Sequence, residues 1–176
     1  QDEARVQGGK AGRVSSDESA LDGIAYYLSD KMEPDTIYLL GTGSTLQGIE
    51  QRLGIDGTLL WVDISRGRQL LAKDVNEQQI LELLRSNDGL PAKIVVTVIG
   101  GQGYIFGRGN QQLSPAVIQR VGRENVIVVA NKSKLAALGG RPLLVDTGSE
   151  EMNSLLSGYM RVTVGYDEQV VMRVAS

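Results

Sequence analysis

The sequence predicts an α/β domain with a mostly parallel sheet, helices on both faces and an antiparallel hairpin at its C-terminus. Three observations support this. Short apolar, β-branched runs alternate with segments of helical periodicity, which is typical of a parallel sheet covered on both sides. Glycine-rich loops follow two of the apolar runs. Two further apolar runs flank Tyr166-Asp167 near the end of the chain and predict the hairpin.

The strands are predicted from short apolar runs between turn residues. Residues 93–99 form the clearest strand, a β-branched run bounded by Pro91 and Gly100. In chain order, the predicted strands span residues 37–40, 58–64, 69–73, 93–99, 126–129, 143–145, 160–164 and 170–174.

The helices are predicted from capping residues followed by apolar residues at helical spacing. Ser15-Ser16-Asp17-Glu18 forms a capping box before a helix that Pro34 ends. In chain order, the predicted helices begin near Ser15, Thr45, Asp74, Ser114, Ser133 and Ser149. The residues before Ser15 show neither helical nor strand periodicity, so we expect a linker at 1–14, cut from a longer protein, and one domain at 15–176.

The composition excludes several kinds of chemistry. The chain of 176 residues has no Cys and no His, which excludes disulfides, thiolate nucleophiles, Cys- or His-ligated zinc and a Ser-His-Asp triad. Mg²⁺ held by carboxylate and phosphate oxygens stays compatible with the sequence. A net charge of −3 argues against a broad nucleic-acid surface. Because we find neither an 18-residue apolar run nor a signal-peptide pattern, we expect a cytoplasmic protein that does not contact membranes.

The first candidate site is the loop Gly41-Thr42-Gly43-Ser44-Thr45, between a predicted strand and a helix; we call it the first glycine loop. Free N–H groups and the dipole at a helix N-terminus favour a bound anion. Gly41 and Gly43 let the backbone approach phosphate closely, and the hydroxyls of Ser44 and Thr45 add donors. The alternative is a tight turn with an ordinary hydroxyl N-cap. The strand–loop–helix context favours phosphate or nucleotide contact.

The second candidate site is the second glycine loop, residues 100–112, which has five glycines within ten residues. Arg108 offers a planar fork for phosphate, whereas Tyr104 and Phe106 either stack on a ligand ring or pack under the loop. Because long ordered loops are usually functional, we favour ligand contact over a plain surface loop. The residues expected to contact ligand are Gly101, Gln102, Gly103, Arg108, Asn110 and Gln111.

Two acidic residues follow or end predicted strands near these loops. Three roles stay open for Asp63: binding a ribose hydroxyl, holding Mg²⁺ through water, or capping the following turn. Asp146 either serves the site or begins the turn into the next helix. We include both residues among the candidate ligand-binding residues, and we assign neither a catalytic residue nor a direct metal ligand.

Three segments together resemble the ATP-NAD kinase-like family, in the branch that uses ATP or polyphosphate. They are Tyr38 to Thr45, residues 97–114 and residues 142–162. The resemblance begins at about Gln7 and covers nearly all of the remaining chain. In the wider NAD kinase family a Thr-Gly-Ser-Thr element helps to form the NAD site, and Thr42 to Thr45 match it residue by residue.

The resemblance implies a kinase in two parts, so that an N-terminal kinase domain of the same protein would be a partner. The Gly-Gly-Asp-Gly-Thr motif of that half is absent here, and in Gly100-Gly101-Gln102-Gly103 a Gln replaces its acid. The chain would then be the substrate-side C-terminal portion, with NAD(P), ATP or polyphosphate, and Mg²⁺ as ligands, for the phosphorylation of NAD to NADP. The C-terminal domains of such kinases are rich in β-structure, whereas the helical periodicity of this chain favours α/β.

Two other functions stay open. The first glycine loop is also similar to the loop that holds sugar phosphate in ribose-5-phosphate isomerase and glucosamine-6-phosphate deaminase, although their acidic and lysine motifs are not found here. A non-catalytic, nucleotide-sensing domain is the third hypothesis. The sequence leaves open the phosphoryl donor and whether the chain forms a homo-oligomer.

Overall fold

The computed structural model describes the backbone of residues 2–176 and the side chains of residues 16–176. The helices are α1 (Asp2–Lys31), α2 (Ser44–Leu53), α3 (Glu77–Ser86), α4 (Pro115–Val121), α5 (Lys132–Ala136) and α6 (Glu150–Leu156), with a 3₁₀ turn at Arg123–Asn125. The strands are β1 (Ile37–Leu40), β2 (Asp63–Arg66), β3 (Gln69–Ala72), β4 (Ala92–Thr97), β5 (Tyr104–Phe106), β6 (Val126–Val129), β7 (Leu143–Val145), β8 (Gly158–Gly165) and β9 (Glu168–Ala175).

The strands of the described chain form one sheet in the order β3-β2-β1-β4-β6-β8-β9-β7-β5. The central strands β1, β4, β6 and β8 are parallel, and so are the pairs β9–β7 and β7–β5. The antiparallel pairs are β1–β2, β2–β3 and the C-terminal hairpin β8–β9. The predicted fold class, a mostly parallel α/β sheet ending in an antiparallel hairpin, is therefore confirmed.

Alternating side chains of the central strands fill two separate cores. Ile37 and Leu39 of β1 point into the larger core, which α3, α4 and α6 cover. Tyr38 and Leu40 point to the opposite face, where α1 and α2 cover a smaller core. Burial on both faces explains why these strands appear in the sequence as continuous apolar runs.

Strand β5 stands at the end of the strand order, yet its start lies beside the chain that leaves β4. Ile99, just beyond β4, forms an antiparallel bridge with Tyr104 at the start of β5. Ile105 and Phe106 of β5 lie in the same core as Ile94 of β4. This return brings the loop after β5 back towards the carboxyl ends of β1 and β4. We call the edge formed by the carboxyl ends of β1, β4 and β6 the carboxyl edge.

Helix α1 runs from the carboxyl edge to the opposite edge of the sheet. Near the carboxyl edge, Asp17 Oδ1 accepts a hydrogen bond of 3.0 Å from Ser133 Oγ. At the opposite edge, Arg68 donates both to Ser29 Oγ, at 3.1 Å, and to the carbonyl of Leu53 at the end of α2. Asp17 therefore lies at the carboxyl edge and Ser29 at the opposite edge. No helix in the described residues is long and apolar enough to cross a membrane.

The structure differs from the predicted elements in three places. Residues 58–62 form a loop, so the strand predicted from residue 58 onward is wrong for that part, and β2 begins only at Asp63. Residues 104–106, predicted as loop, form the short strand β5. Helix α1 begins at Asp2 rather than at the Ser15 capping box, and Glu18 of that box instead accepts a hydrogen bond from Arg52 Nη2 at 2.5 Å.

Most of the predicted linker at 1–14 thus lies within α1. Gln1 and the side chains of residues 2–15 lie outside the described part of the chain. The division into a linker at 1–14 and a domain at 15–176 stays a prediction.

Close packing of α1 on the sheet depends on Gly23, and this can be tested. A methyl group at Gly23 would lie 2.9 Å from the backbone nitrogen of Tyr166, which cannot move without shifting the β8–β9 turn. We expect Gly23→Ala to lower the free energy of unfolding by about 1–3 kcal/mol, measured by urea denaturation.

Gly48→Ala is the matched control, because a methyl group there would meet only the movable ends of Arg52 and Leu21, at 3.3 Å. The helix propensity of alanine should make Gly48→Ala neutral or stabilising by up to about 1 kcal/mol. Equal effects of the two substitutions would contradict close packing at Gly23.

Candidate functional site

The first glycine loop connects β1 directly to the N-terminus of α2. The Gly41 N–H donates to the carbonyl of Val95 on β4 at 2.9 Å, which holds the loop against the end of that strand. Gly43 is the N-cap residue of α2, has φ 116°, and makes no side-chain capping bond. The ordinary hydroxyl cap of the alternative interpretation is therefore absent. The N-terminal N–H groups of α2 are left without a side-chain acceptor.

The other α-helices for which the structure describes an N-cap differ from α2 in this respect. Each has a capping side chain that accepts a backbone hydrogen bond: Asn76, Ser114, Asn131 and Ser149. Asp74, at φ 50°, lies two residues before the Asn76 cap rather than capping α3 itself. Asn76 and Gln79 form the capping box of α3, so the N-cap lies two residues after the helix start predicted at Asp74.

The two glycine loops meet at the carboxyl edge. A methyl group at Gly109 would lie 3.4 Å from Thr42 Oγ1, and one at Gly43 would lie 3.2 Å from Thr97 Cγ2. Thr97 ends β4 and is 2% exposed, and its hydroxyl has no hydrogen-bond partner. An unpartnered hydroxyl in such a place is unusual, since buried polar groups are nearly always paired. Sequence reasoning missed Thr97, although a threonine at the end of an apolar strand was a usable signal.

The shape of the second glycine loop is fixed by Asn110. This residue is completely buried; its Oδ1 accepts from the Gly107 N–H at 3.0 Å, and its Nδ2 donates to the carbonyl of Ile105 at 3.0 Å. Gly107 has φ 93°, and a Cβ there would overlap the carbonyl of Asp146. The amide of Asn110 is therefore used inside the loop. Gln111, in contrast, is exposed and makes one long contact of 3.4 Å to the Gly107 carbonyl.

Arg108 lies exposed at the tip of the second glycine loop. Its guanidinium carbon lies 4.6 Å from the centre of the Tyr104 ring, a cation–π contact that supports the exposed side chain. Phe106 is completely buried in the core. Of the two roles considered for Phe106, the structure shows packing under the loop.

Of the three predicted contact residues at the beginning of the second glycine loop, two are exposed and one is buried. Gly101 and Gln102 are exposed, and the Gly101 carbonyl accepts a 3.4 Å bond from Arg141. Gly103 is buried; it has φ 91°, and its carbonyl accepts from the Leu144 N–H at 2.9 Å. Gly103 therefore joins β5 to β7 rather than facing solvent.

Asp146 lies beside the tip of this loop. Its backbone N–H donates to the carbonyl of Phe106 at 3.0 Å, and its side chain is exposed. The following turn is closed by Thr147, whose N–H and hydroxyl both bond to Asn153 Oδ1. The Asp146 side chain is thus exposed beside Gly107, the residue before Arg108.

Asp63 is completely buried below the first glycine loop. Its carboxylate accepts from the Thr58 N–H at 2.5 Å and from the Asp74 N–H at 3.0 Å, and the Thr58 hydroxyl lies 2.9 Å from both of its oxygens. None of these contacts is with the turn that follows Asp63; they join the preceding loop at Thr58 to the chain at Asp74. Asp63 holds the loop at 56–62 and the chain after β3 in place.

Glu50 of α2 is a buried acid that sequence reasoning missed. It is 1% exposed, and neither carboxyl oxygen has a hydrogen-bond partner. Burial, together with the negative charge of Asp63, raises the pKa of Glu50 to about 8. The signal was its position, four residues after Leu46 and three before Leu53, on the apolar face of the helix.

The buried carboxyl of Glu50 makes stability depend on pH. Its folded pKa of about 8 exceeds the ordinary value of 4.5, so the folded chain binds the extra proton between these pH values. The contribution of this proton to the free energy of unfolding is fully present below pH 4.5. It falls by up to ~1.4 kcal/mol per pH unit as the pH rises towards 8. We expect Glu50→Gln to flatten this decline and to stabilise the chain at pH 8, measured by urea denaturation from pH 5 to 9.

Glu82→Gln, at an exposed position of α3, is the control and should leave the pH profile unchanged. If the stability of the parent protein varied with pH in the same way as that of Glu50→Gln, Glu50 would already be ionised in the folded state.

The comparison with known families agrees with this geometry. The model of the family described as ATP-NAD kinase C-terminal domain matches residues 34–174, a range that contains both glycine loops, Thr97 and Asp146. None of the curated proteins and none of the solved structures matches the chain significantly. Since the family match covers well over half of the sequence, the chain belongs to the ATP-NAD kinase C-terminal domain family.

Proposed function

We propose that this chain is the substrate-side domain of an NAD kinase-type phosphotransferase. It binds dinucleotide and phosphate at the carboxyl edge for the ATP- or polyphosphate-dependent phosphorylation of NAD to NADP. The observation that carries the proposal is the meeting of the two glycine loops at the N-terminus of α2, which has no capping side chain. The family match supports the kinase assignment.

Phosphate recognition would rest on backbone and side-chain donors that already lie together. The ten-residue helix α2 directs its first N–H groups and the positive end of its dipole at the first glycine loop. Ser44 and Thr45 add hydroxyls at the same turn. Arg108 on the neighbouring loop would supply positive charge and a planar fork for phosphate oxygens.

Asp146, Gln102 and Gln111 are exposed on or beside the second glycine loop and would contact the sugar or base of the ligand. Asn110 and Gly103 would act indirectly, because their contacts shape the loop. Asp63 would likewise act through the loop that it anchors.

Phosphoryl transfer is compatible with a site that lacks His and Cys. Catalysis of this reaction depends mostly on positioning the reactants and on stabilising negative charge. The acid of the Gly-Gly-Asp-Gly-Thr motif would come from an N-terminal kinase domain. A domain that precedes α1 would be joined to this one through that helix, in which Asp17 lies at the carboxyl edge.

Mg²⁺ would fit here only together with a phosphate ligand. The described residues contain no group of three or more acidic side chains able to hold a metal ion. One carboxylate plus substrate phosphate oxygens is, however, a common arrangement for Mg²⁺, and Asp146 is the exposed carboxylate next to the second loop. The ion would neutralise phosphate charge. The cytoplasmic location expected from the sequence stays a prediction.

Calorimetry of the chain with NAD, NADP, ATP and ribose 5-phosphate, with and without Mg²⁺, tests the proposal. We expect dinucleotide binding without turnover. Arg108→Ala should weaken binding by about 10- to 100-fold, because a charge-assisted hydrogen bond to phosphate is lost. Gly43→Val should abolish binding, because its side chain would strain the turn at φ 116° and crowd Thr97.

Two control variants match these substitutions. Gly54→Val also introduces a side chain at positive φ, 75°, but at the other end of α2, with nothing within 4 Å of its Cβ. Arg85→Ala removes an exposed arginine of α3. Unchanged affinity in the Gly43 and Arg108 variants would contradict the site. Binding of ribose 5-phosphate alone would support the phosphosugar alternative, and NAD phosphorylation by this chain alone would contradict the division into two halves.

A further inference from the structure

An exposed apolar segment lies beside the first glycine loop. We call residues 56–62, which lie between α2 and β2, the Trp61 loop. Leu59, Leu60 and Trp61 are 39%, 65% and 46% exposed, respectively. Three consecutive large apolar side chains facing solvent are unusual on a protein surface and indicate a contact surface.

The Trp61 loop is bonded directly to the proposed phosphate site. The N–H of Gly43, the N-cap residue of α2, donates to the carbonyl of Leu59 at 3.0 Å. Two residues span at most about 7 Å of chain, so the backbone of Trp61 lies next to the N-terminus of α2. Trp61 is therefore close enough to the N-terminal N–H groups of α2 for a single nucleotide to contact both.

The loop is held at several points. Asp63 accepts from the Thr58 N–H, and the Thr58 hydroxyl also lies 3.1 Å from the carbonyl of Trp61. After the ring, the Val75 N–H donates to the carbonyl of Val62 at 2.9 Å. Because these bonds fix the backbone on both sides of Trp61, little additional conformational entropy is lost when the ring contacts a ligand.

Trp61 is the open aromatic side chain near the two glycine loops. Phe106 is completely buried, and the guanidinium of Arg108 covers one face of Tyr104. A purine or pyridine ring stacks well on an indole, and such stacking does not require a particular pattern of hydrogen bonds.

We propose that Trp61 is the stacking platform for an aromatic base, adenine or nicotinamide, of a dinucleotide whose phosphates lie at the N-terminus of α2. This inference rests on the proposed function and deepens it, because it assigns the base as well as the phosphates to a place on this chain. Asp63 is then a positioning residue, which holds the Trp61 loop against the first glycine loop.

The chain provides its own reporter, since Trp61 is its only tryptophan. Titration with NAD, AMP, nicotinamide mononucleotide and ribose 5-phosphate should be followed by indole fluorescence and, in parallel, by calorimetry. We expect NAD and one of the two mononucleotides to quench the emission and to protect it from acrylamide. Ribose 5-phosphate, which has no base, should leave the emission unchanged.

Three variants separate stacking from folding. Trp61→Ala should weaken NAD binding roughly 5- to 100-fold and leave the affinity for inorganic pyrophosphate unchanged. Trp61→Phe should keep most of the NAD affinity. Leu71→Ala, an exposed leucine of β3 outside the Trp61 loop, is the control and should bind NAD like the parent chain.

The outcomes distinguish this inference from the proposed function. Calorimetric binding of NAD with unchanged indole emission and unchanged acrylamide access, or with full affinity in Trp61→Ala, would overturn the stacking role alone. Absence of calorimetric binding would overturn both. Protection from acrylamide that increases with protein concentration and needs no nucleotide would assign the loop to self-association and overturn the inference.

Discussion

The antiparallel return of β5 beside β4 is the interaction on which the candidate site depends. The bridge between Ile99 and Tyr104 joins the start of β5 to the chain just beyond β4, and the pairing of β5 with β7 holds the other side of the strand. The return also buries Phe106 in the larger core, so that formation of the site is coupled to burial of a large apolar side chain. Glycines at positive φ, such as Gly107 beside Asp146, then allow the backbones to approach closely.

Two buried carboxyl groups behave differently below the site. Asp63 is satisfied by backbone and hydroxyl donors, which offset the cost of burying its charge. Glu50 has no such donors, and its pKa is raised accordingly. The Trp61 loop is thus anchored by Asp63, whose negative charge contributes to the raised pKa of Glu50. Gly57 lies between them, where a side chain would overlap the Glu50 carboxyl.

The arrangement at the carboxyl edge suits binding and positioning more than acid–base chemistry. Backbone N–H groups, hydroxyls and one arginine converge there, whereas the described acids are either buried, as Asp63 is, or single and exposed, as Asp146 is. Under the proposed function, such a surface would recognise phosphates and hold a nucleotide, while a second domain would supply a catalytic acid. Membership of the ATP-NAD kinase C-terminal domain family agrees with this division.

The sequence by itself determined the α/β class and the two glycine loops, because hydrophobic period and glycine clusters are local signals. It failed at residues 58–62, where an apolar run suggested a strand but Asp63 holds an exposed loop. Only the tertiary structure decided that Asn110 shapes the loop while Arg108 stays exposed, and that Glu50 is buried. These properties depend on neighbours distant in sequence, which pairing and packing select and which no local pattern records.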